Sequence, residues 1–269
     1  MCNTKGIFLL ILTTGILGCL KAQKSKADMR EERRQRISAL VKQEEEGVIA
    51  YRKQNALGFK LLNDGYGFFY EVGRAQTVRT GWLFQFEFSE RKNPKEEKQT
   101  NPVVPTSPFI FGKVNYFYPI KLGAQRQFLF GNKSNKNGVS VTGNFGGGLA
   151  LGFLRPYYLE VSDANQFVRR NIKYDGPDSL LFSSNTDLMN LNVSGARFGL
   201  GWNELKLNPG LYTKAALRFD YGRYNEMVNA LEVGLSAEFY SKKILQVLYS
   251  EERQLFLNAF VCILFGRRK

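Results

Sequence analysis

The strict alternation of apolar and polar residues in the last third of the chain limits its fold more than any other feature. Leu231, Val233, Leu235, Ala237 and Phe239 fall on one side, and Glu232, Gly234, Ser236 and Glu238 on the other. Successive side chains of a strand point to opposite faces, so this period of two specifies strand and not helix. The final segment repeats it. Leu255, Leu257, Ala259, Val261, Ile263 and Phe265 share a side, up to the basic end Gly266-Arg267-Arg268-Lys269. Strands this long predict the staves of a membrane barrel.

The beginning of the chain fits that destination. Lys5 precedes an apolar stretch from Gly6 to Leu20, too short for a bilayer span, which needs about 20 residues. It reads as a secretory signal. Two processing sites are open. One follows Ala22 and leaves Gln23 first; the other is the lipobox-like Ile16-Leu17-Gly18-Cys19, which would make Cys19 a lipidation site. The first is preferred, because a barrel needs no lipid anchor. The expected organisation is a signal peptide over 1–22, a charged periplasmic segment over 23–55, and an outer-membrane barrel over 56–269.

Composition excludes several alternatives. After Leu20 no apolar run is long enough for a transmembrane helix. Mean hydropathy is negative, which a barrel tolerates because its strands need only about 9 to 11 residues, apolar at every second position. The 14% aromatic content and 26 glycines favour a tightly packed sheet protein. Beyond the signal only Cys262 remains, so neither a disulfide framework nor a thiolate metal site is available within one chain. The sequence has no histidine, which removes Ser-His chemistry and argues against zinc. Gly146-Gly147-Gly148 is followed by no Gly-Lys-Ser/Thr and is no phosphate loop. No catalytic residue, cofactor or metal is expected.

The formal charge is +14; removing residues 1–22 takes away Lys5 and Lys21 and no acid, leaving +12. A secreted chain rarely meets nucleic acid, which sets that partner aside. Lipid phosphates on one leaflet, an acidic protein partner, and merely solvated loops stay open.

Along the chain, residues 24–52 are dense in charge and carry Ile37, Leu40, Val41, Val48 and Ile49 at helical spacing. This predicts a helix or a flexible tail, with Arg33, Arg34, Ile37, Leu40 and Val41 as candidate partner contacts, joined by Arg267, Arg268 and Lys269 at the other terminus. The sheet is expected to start near Leu57, and Asn63-Asp64-Gly65 marks a tight turn. Trp82, Phe84, Phe86 and Phe88 share a face, residues 91–108 read as a loop, and strands follow over 109–118 and, after Pro119, over 122–130. Next comes a strand in which Val139, Val141, Phe145, Leu149, Leu151 and Phe153 alternate with small residues, including Gly146, Gly148 and Gly152. Glycines on a lumen face make room in a small barrel.

Residues 157–192 show no period and form the longest loop. Ala196, Phe198, Leu200 and Trp202 predict a strand, Asn208-Pro209-Gly210 a turn, and 211–221 a strand before a turn at 222–225. The count is 8 to 10 antiparallel strands, with ten preferred, and an even number puts both termini in the periplasm.

On the polar face, Lys214, Arg218 and Asp220 are expected to meet Glu232 and Glu238 of the hairpin neighbour. With Lys60, Glu71, Glu87, Lys113 and Arg197 they would plug the lumen. That argues against a general porin, since about 16 strands are needed for an aqueous channel. It also explains the Glu232 and Glu238 spacing without acid-base chemistry. A soluble barrel with its apolar face inward is the competing fold, disfavoured by rows of Phe, Trp and Leu opposite a face carrying both signs of charge.

Several word-like segments resemble a family of small outer-membrane barrel proteins of Bacteroidota. They are Asn63-Asp64-Gly65-Tyr66-Gly67, the run from Phe86-Glu87-Phe88-Ser89 to Lys95-Glu96, Arg155-Pro156-Tyr157-Tyr158-Leu159, Leu217-Arg218-Phe219-Asp220-Tyr221-Gly222-Arg223, Gly234-Leu235-Ser236-Ala237-Glu238-Phe239-Tyr240-Ser241-Lys242-Lys243, and the ending Phe265-Gly266-Arg267-Arg268-Lys269. The likeness covers about residues 57–269. One member of the family is associated with the periplasmic ring of the type IX secretion system, built from a lipoprotein and a partner subunit. The resemblance therefore implies a non-enzymatic barrel that tethers or positions that ring, with the ring lipoprotein as partner. A small solute channel or a surface ligand-binding barrel is the alternative.

Overall fold

The computed structural model describes residues 29–35, 52–100, 107–132, 138–162, 169–175, 192–197, 199–222, 226–248 and 250–269. The chain divides into two units, 1–50 and 51–269. In the first, residues 29–35 form a short helix with every side chain exposed, Arg33 and Arg34 among them. The signal and lipobox residues, and Ile37, Leu40, Val41, Val48 and Ile49, lie outside the described residues.

The second unit contains, in chain order, β1 (Lys53–Leu62), β2 (Gly65–Ala75), β3 (Thr80–Arg91), β4 (Lys98–Gln99), β5 (Phe109–Ile110), β6 (Asn115–Gly131), β7 (Ser140–Pro156), β8 (Tyr158–Ser162), β9 (Arg169–Lys173), β10 (Asn192–Gly195), β11 (Lys206–Asp220), β12 (Met227–Ile244) and β13 (Arg253–Arg268). Eight of them close into an antiparallel barrel in the order β1-β13-β12-β11-β7-β6-β3-β2. Directly opposed residues, followed once around from Lys53 through Arg74, Trp82, Arg126, Phe145, Ala215, Leu235 and Ala259, lead back to β1 at Asn63. The stagger is thus ten residues, from 53 to 63, and the strands tilt steeply to close it.

The barrel has eight strands and not ten because two proline signals that read as turns lie inside staves. Pro119 sits within β6. There the β3–β6 ladder breaks after Phe88↔Ile120 and resumes at Arg91↔Phe117, so the missing N–H costs no bond. The segments 109–118 and 122–130 therefore belong largely to one 17-residue strand that begins at Asn115. Pro209 lies within β11, one residue beyond the last pair with β12, Gly210↔Tyr240. The side chain of Asn208 continues the ladder in its place. Its amide donates to the Lys242 carbonyl at 2.7 Å, and its oxygen accepts from Lys242 N–H at 3.0 Å. No strand forms over 196–202 among the described residues. Gly199 and Gly201 adopt positive φ of 102° and 86°, and a single 3-10 turn, Trp202–Glu204, follows.

The two ends of the barrel differ. One carries the last residue, hydrogen-bonded through its backbone to Lys53, and the connections 76–79, 132–139 and 221–226. The other carries the tight turn at 63–64 and the segments 92–114, 157–205 and 245–252. With eight strands the 157–192 segment therefore lies at the end opposite the termini. It holds β8, β9 and the start of β10, paired in the order β10-β8-β9.

The barrel is apolar outside and polar inside. Phe59, Leu61, Leu211, Leu235 and Leu257 are 61 to 68% exposed, whereas Glu71, Glu232 and Glu238 are 0% exposed. Each Leu or Phe left in water forgoes about 1.5 to 3 kcal/mol of burial, so a water-soluble barrel would be turned the other way. Each of the eight staves is paired on both sides and the sheet closes without an edge, which is what a hydrocarbon environment demands. The fold is a transmembrane antiparallel β-barrel.

Candidate functional site

Lumen side chains come from every second residue of each stave, and their register fixes which can meet. Arg218 stands opposite Glu232 across the β11–β12 hairpin. It donates to Glu232 Oε2 at 2.7 Å and makes a two-bond fork with Glu71, at 2.8 and 2.7 Å, on the far wall. Lys214 binds Glu232 at 2.6 Å and donates to Gln85 Oε1 at 3.2 Å. Glu87 is held by Lys60 and, at 2.9 Å, by Lys121. Lys121 also binds Glu238 at 2.6 Å, which pairs in turn with Arg91. Arg91 closes the chain on Asp64 at 2.5 and 2.6 Å. Toward the terminal end, Gln54 donates to Glu71 at 3.1 Å and accepts from Arg268 Nε at 3.1 Å, while Arg268 binds Asp220 at 2.5 Å.

One polar chain thus runs the length of the lumen from Asp220 to Asp64. Its six cations, Lys60, Arg91, Lys121, Lys214, Arg218 and Arg268, balance six carboxylates, Asp64, Glu71, Glu87, Asp220, Glu232 and Glu238. Burying such ions costs several kcal/mol each and is offset only by close pairing and further hydrogen bonds. Asn144 supplies one to Glu232 at 3.0 Å, and Tyr240 one to Glu238 at 2.9 Å.

Two apolar clusters share the lumen with the network. Phe69, Phe260 and Leu264 cluster toward the terminal end, and Phe117, Tyr212, Tyr240 and Phe256 toward the loop end. Lys60 lies 4.4 Å over the Phe260 ring and Lys214 5.1 Å over the same ring. Gly123 is required here, because a Cβ would strike the Tyr212 hydroxyl. Cys262 is buried in the first cluster.

Of the residues expected in the lumen, Lys60, Glu71, Glu87, Lys214, Arg218, Asp220, Glu232 and Glu238 face it, but the partners differ. Asp220 meets Arg268 rather than a hairpin glutamate, and Glu238 meets Arg91 and Lys121, not Lys214. Lys113 and Arg197 are not in the lumen: Lys113 binds Glu96 at 2.5 Å in the loops, and Arg197 is exposed. Arg268, expected to be a free partner contact, is buried by inward alternation on β13, while Arg267 and Lys269 are exposed. Sequence reasoning missed Arg91, taken as the start of a loop, and Lys121. An extension of the β3 alternation past Ser89 would have found the first, and Pro119 hid the second.

The loops opposite the termini build a second cluster. Tyr157, Leu159, Val161, Ile172 and Val193 form a small core, against which Phe109, Phe111 and Leu248 pack. Val114 and Asn115 N–H both donate to the Gln246 carbonyl, at 2.8 and 3.3 Å, tying two loops together. Burial pushes the Tyr157 phenol up to about 12 and lowers Lys113, whose Glu96 partner pulls the other way. Beside this cluster Arg155 lies 4.1 Å over Tyr116 and 4.9 Å over Trp202. No group of metal-ligating residues occurs among the described residues.

The solved structures of similar fold include three bacterial barrels. The N-terminal β-barrel domain of Pseudomonas aeruginosa OprF is 12% identical, over 80% of this chain and 98% of that one, with a TM-score of 0.35. Neisserial surface protein A is 9% identical, over 81% and 96%, at 0.38. Ail, the attachment invasion locus protein of Yersinia pestis, solved with the heparin analogue sucrose octasulfate, is 10% identical, over 82% and 100%, at 0.35. No protein-family model matches the sequence. No curated protein matches it either.

Proposed function

We propose that this chain is a closed, non-enzymatic outer-membrane barrel that anchors a periplasmic protein assembly, with the lipoprotein-containing ring of the type IX secretion system as the candidate. The observation that carries the reading is the neutral ion-pair chain filling the lumen, which supports an anchor over a conduit. Outer-membrane barrels keep short turns on the periplasmic side and longer loops outside. The end bearing Lys269 and the short connections would then face the periplasm, together with the segment preceding β1. Arg33, Arg34, Arg267 and Lys269 are exposed contacts on offer, and the resemblance of residues 57–269 to the Bacteroidota family supplies the candidate partner.

Affinity purification of a C-terminally tagged copy from gently solubilised envelopes tests this reading. The expected result is near-stoichiometric recovery of the ring lipoprotein; a barrel recovered alone would sink the anchor. The folded loop core at the opposite end favours a second reading, a surface ligand-binding barrel. Planar-bilayer recording separates both from a solute channel. The expected trace shows no steady conductance, because the charged side chains of the lumen are buried and paired with one another across it. Stable steps would overturn the closed barrel.

A further inference from the structure

We propose that the terminal rim of the barrel carries a docking ledge for the phosphate headgroups of anionic phospholipids. The inference rests on the barrel crossing a membrane. Lys53 and Lys269 exchange both backbone hydrogen bonds at 2.9 Å. Lys53 stands opposite Arg74, Arg74 opposite Trp82, and Trp82 opposite Arg126. Directly opposed residues of an antiparallel pair share a face, so these five side chains form one row across five adjacent staves. That face is the outer one, since the sequence neighbours Gln54, Gly73, Gly81 and Gln127 are buried on the lumen side. The row borders the apolar band, whose next outward residues are Val72 and Phe84.

The stagger of the barrel makes the row climb obliquely, which would carry Arg126 toward the apolar band. Its guanidinium turns back to the rim, donating to Gln76 Oε1 at 2.7 Å and Thr80 Oγ1 at 3.3 Å, and lies 5.0 Å over the Trp82 ring. A cation reaching from an apolar surface to the headgroup level beside an interfacial tryptophan is the arrangement such a boundary selects. Lys53, Arg74 and Lys269 have no carboxylate partner among the described residues. The exposed acid at this end, among the described residues of the barrel, is Glu226. Guanidinium and ammonium groups left unpaired in a row suit phosphate oxygens.

The occupant is lipid rather than an acidic protein because the row faces sideways, into the plane of the membrane. A protein from the periplasm would have to wedge between barrel and bilayer to reach it. The terminal leaflet is therefore the partner.

Trp82 reports on its own surroundings. The chain holds two tryptophans, so Trp202→Phe leaves Trp82 alone. This variant is folded into phosphatidylcholine vesicles containing equal fractions of phosphatidylglycerol, with bromine on the acyl chains of one lipid or the other. The expected result is quenching by brominated phosphatidylglycerol equivalent to about fivefold local enrichment, the size of one basic residue's attraction at an anionic surface, and weaker at high salt. Substituting Lys53→Gln, Arg74→Gln, Arg126→Gln and Lys269→Gln together should bring the two lipids level while the band stays heat-modifiable. Equal quenching in the parent, or an unchanged preference in the fourfold variant, overturns the ledge. So does a preference removed by inorganic phosphate at matched ionic strength, or loss in the variant of a co-purifying acidic protein but not of the lipid preference. Failure to fold in any vesicle overturns the membrane reading, and the ledge with it.

Discussion

Replacing Arg218 with alanine is expected to destabilise the folded barrel by about 3 to 5 kcal/mol, the cost of removing one partner from buried ions. The guanidinium is 1% exposed and serves two carboxylates that are 0% exposed, Glu71 through a fork and Glu232 through Nε. Without it Glu232 keeps Lys214, but among the described residues Glu71 retains only the amide of Gln54. The stranded charge, more than the lost contact, sets the size of the effect. Arg218→Lys keeps the charge but cannot reproduce the fork, and falls between alanine and the parent. Arg218→Leu combined with Glu71→Leu removes charge in balance and is expected to cost less than Arg218→Ala alone. Guanidinium unfolding of the micelle-folded protein, followed by tryptophan fluorescence, reads all three. If the alanine variant lies within about 0.5 kcal/mol of the parent, as an unremarkable surface change would, the lumen network is not what holds the staves in place.

The same network shows where sequence reading reaches its limit. Arg218 and Glu232 are legible because a hairpin fixes their register, fourteen residues apart in the chain. Glu71 and Arg218 are 147 residues apart, as are Arg91 and Glu238, and Gln54 and Arg268 are 214 apart. Those contacts exist only once the sheet has closed with its particular stagger, which no local pattern encodes. The alternation of β12 and β13 was legible for the opposite reason: a barrel wall exposes every second residue to lipid, so period two survives along the whole strand.

The observed eight strands fall within the expected 8 to 10; the preference for ten fails at Pro119 and at Asn208-Pro209-Gly210, where the local signal for a turn is sound but the ladder is already open on one side. The loop sheet β10-β8-β9 escaped notice because its strands have only four or five residues, too few for a period to stand out. Arg268 was misjudged because its two basic neighbours hid the alternation. Arg267 points out, Arg268 in, as β13 dictates.

Placing an arginine on the outer wall should give a depth-dependent penalty that no water-soluble barrel would show. Leu235 is the ninth residue of the 18-residue β12, 65% exposed, and its opposed neighbours Ala215 and Ala259 offer no partner for a charge. Leu235→Arg is expected to cost about 2 to 4 kcal/mol, the value for a lipid-facing cation near the midplane. Leu255, the third residue of β13 and 53% exposed, lies beside Arg253 at the loop rim. Leu255→Arg is expected to cost about 0 to 1 kcal/mol, because the head group can reach the interface. The same chemical change at two exposed leucines thus separates the environments. On a soluble barrel both substitutions would replace apolar surface in water with charge, and neither would destabilise. Unfolding titrations in vesicles measure the difference directly, and equal values at the two positions would exclude a bilayer around the wall.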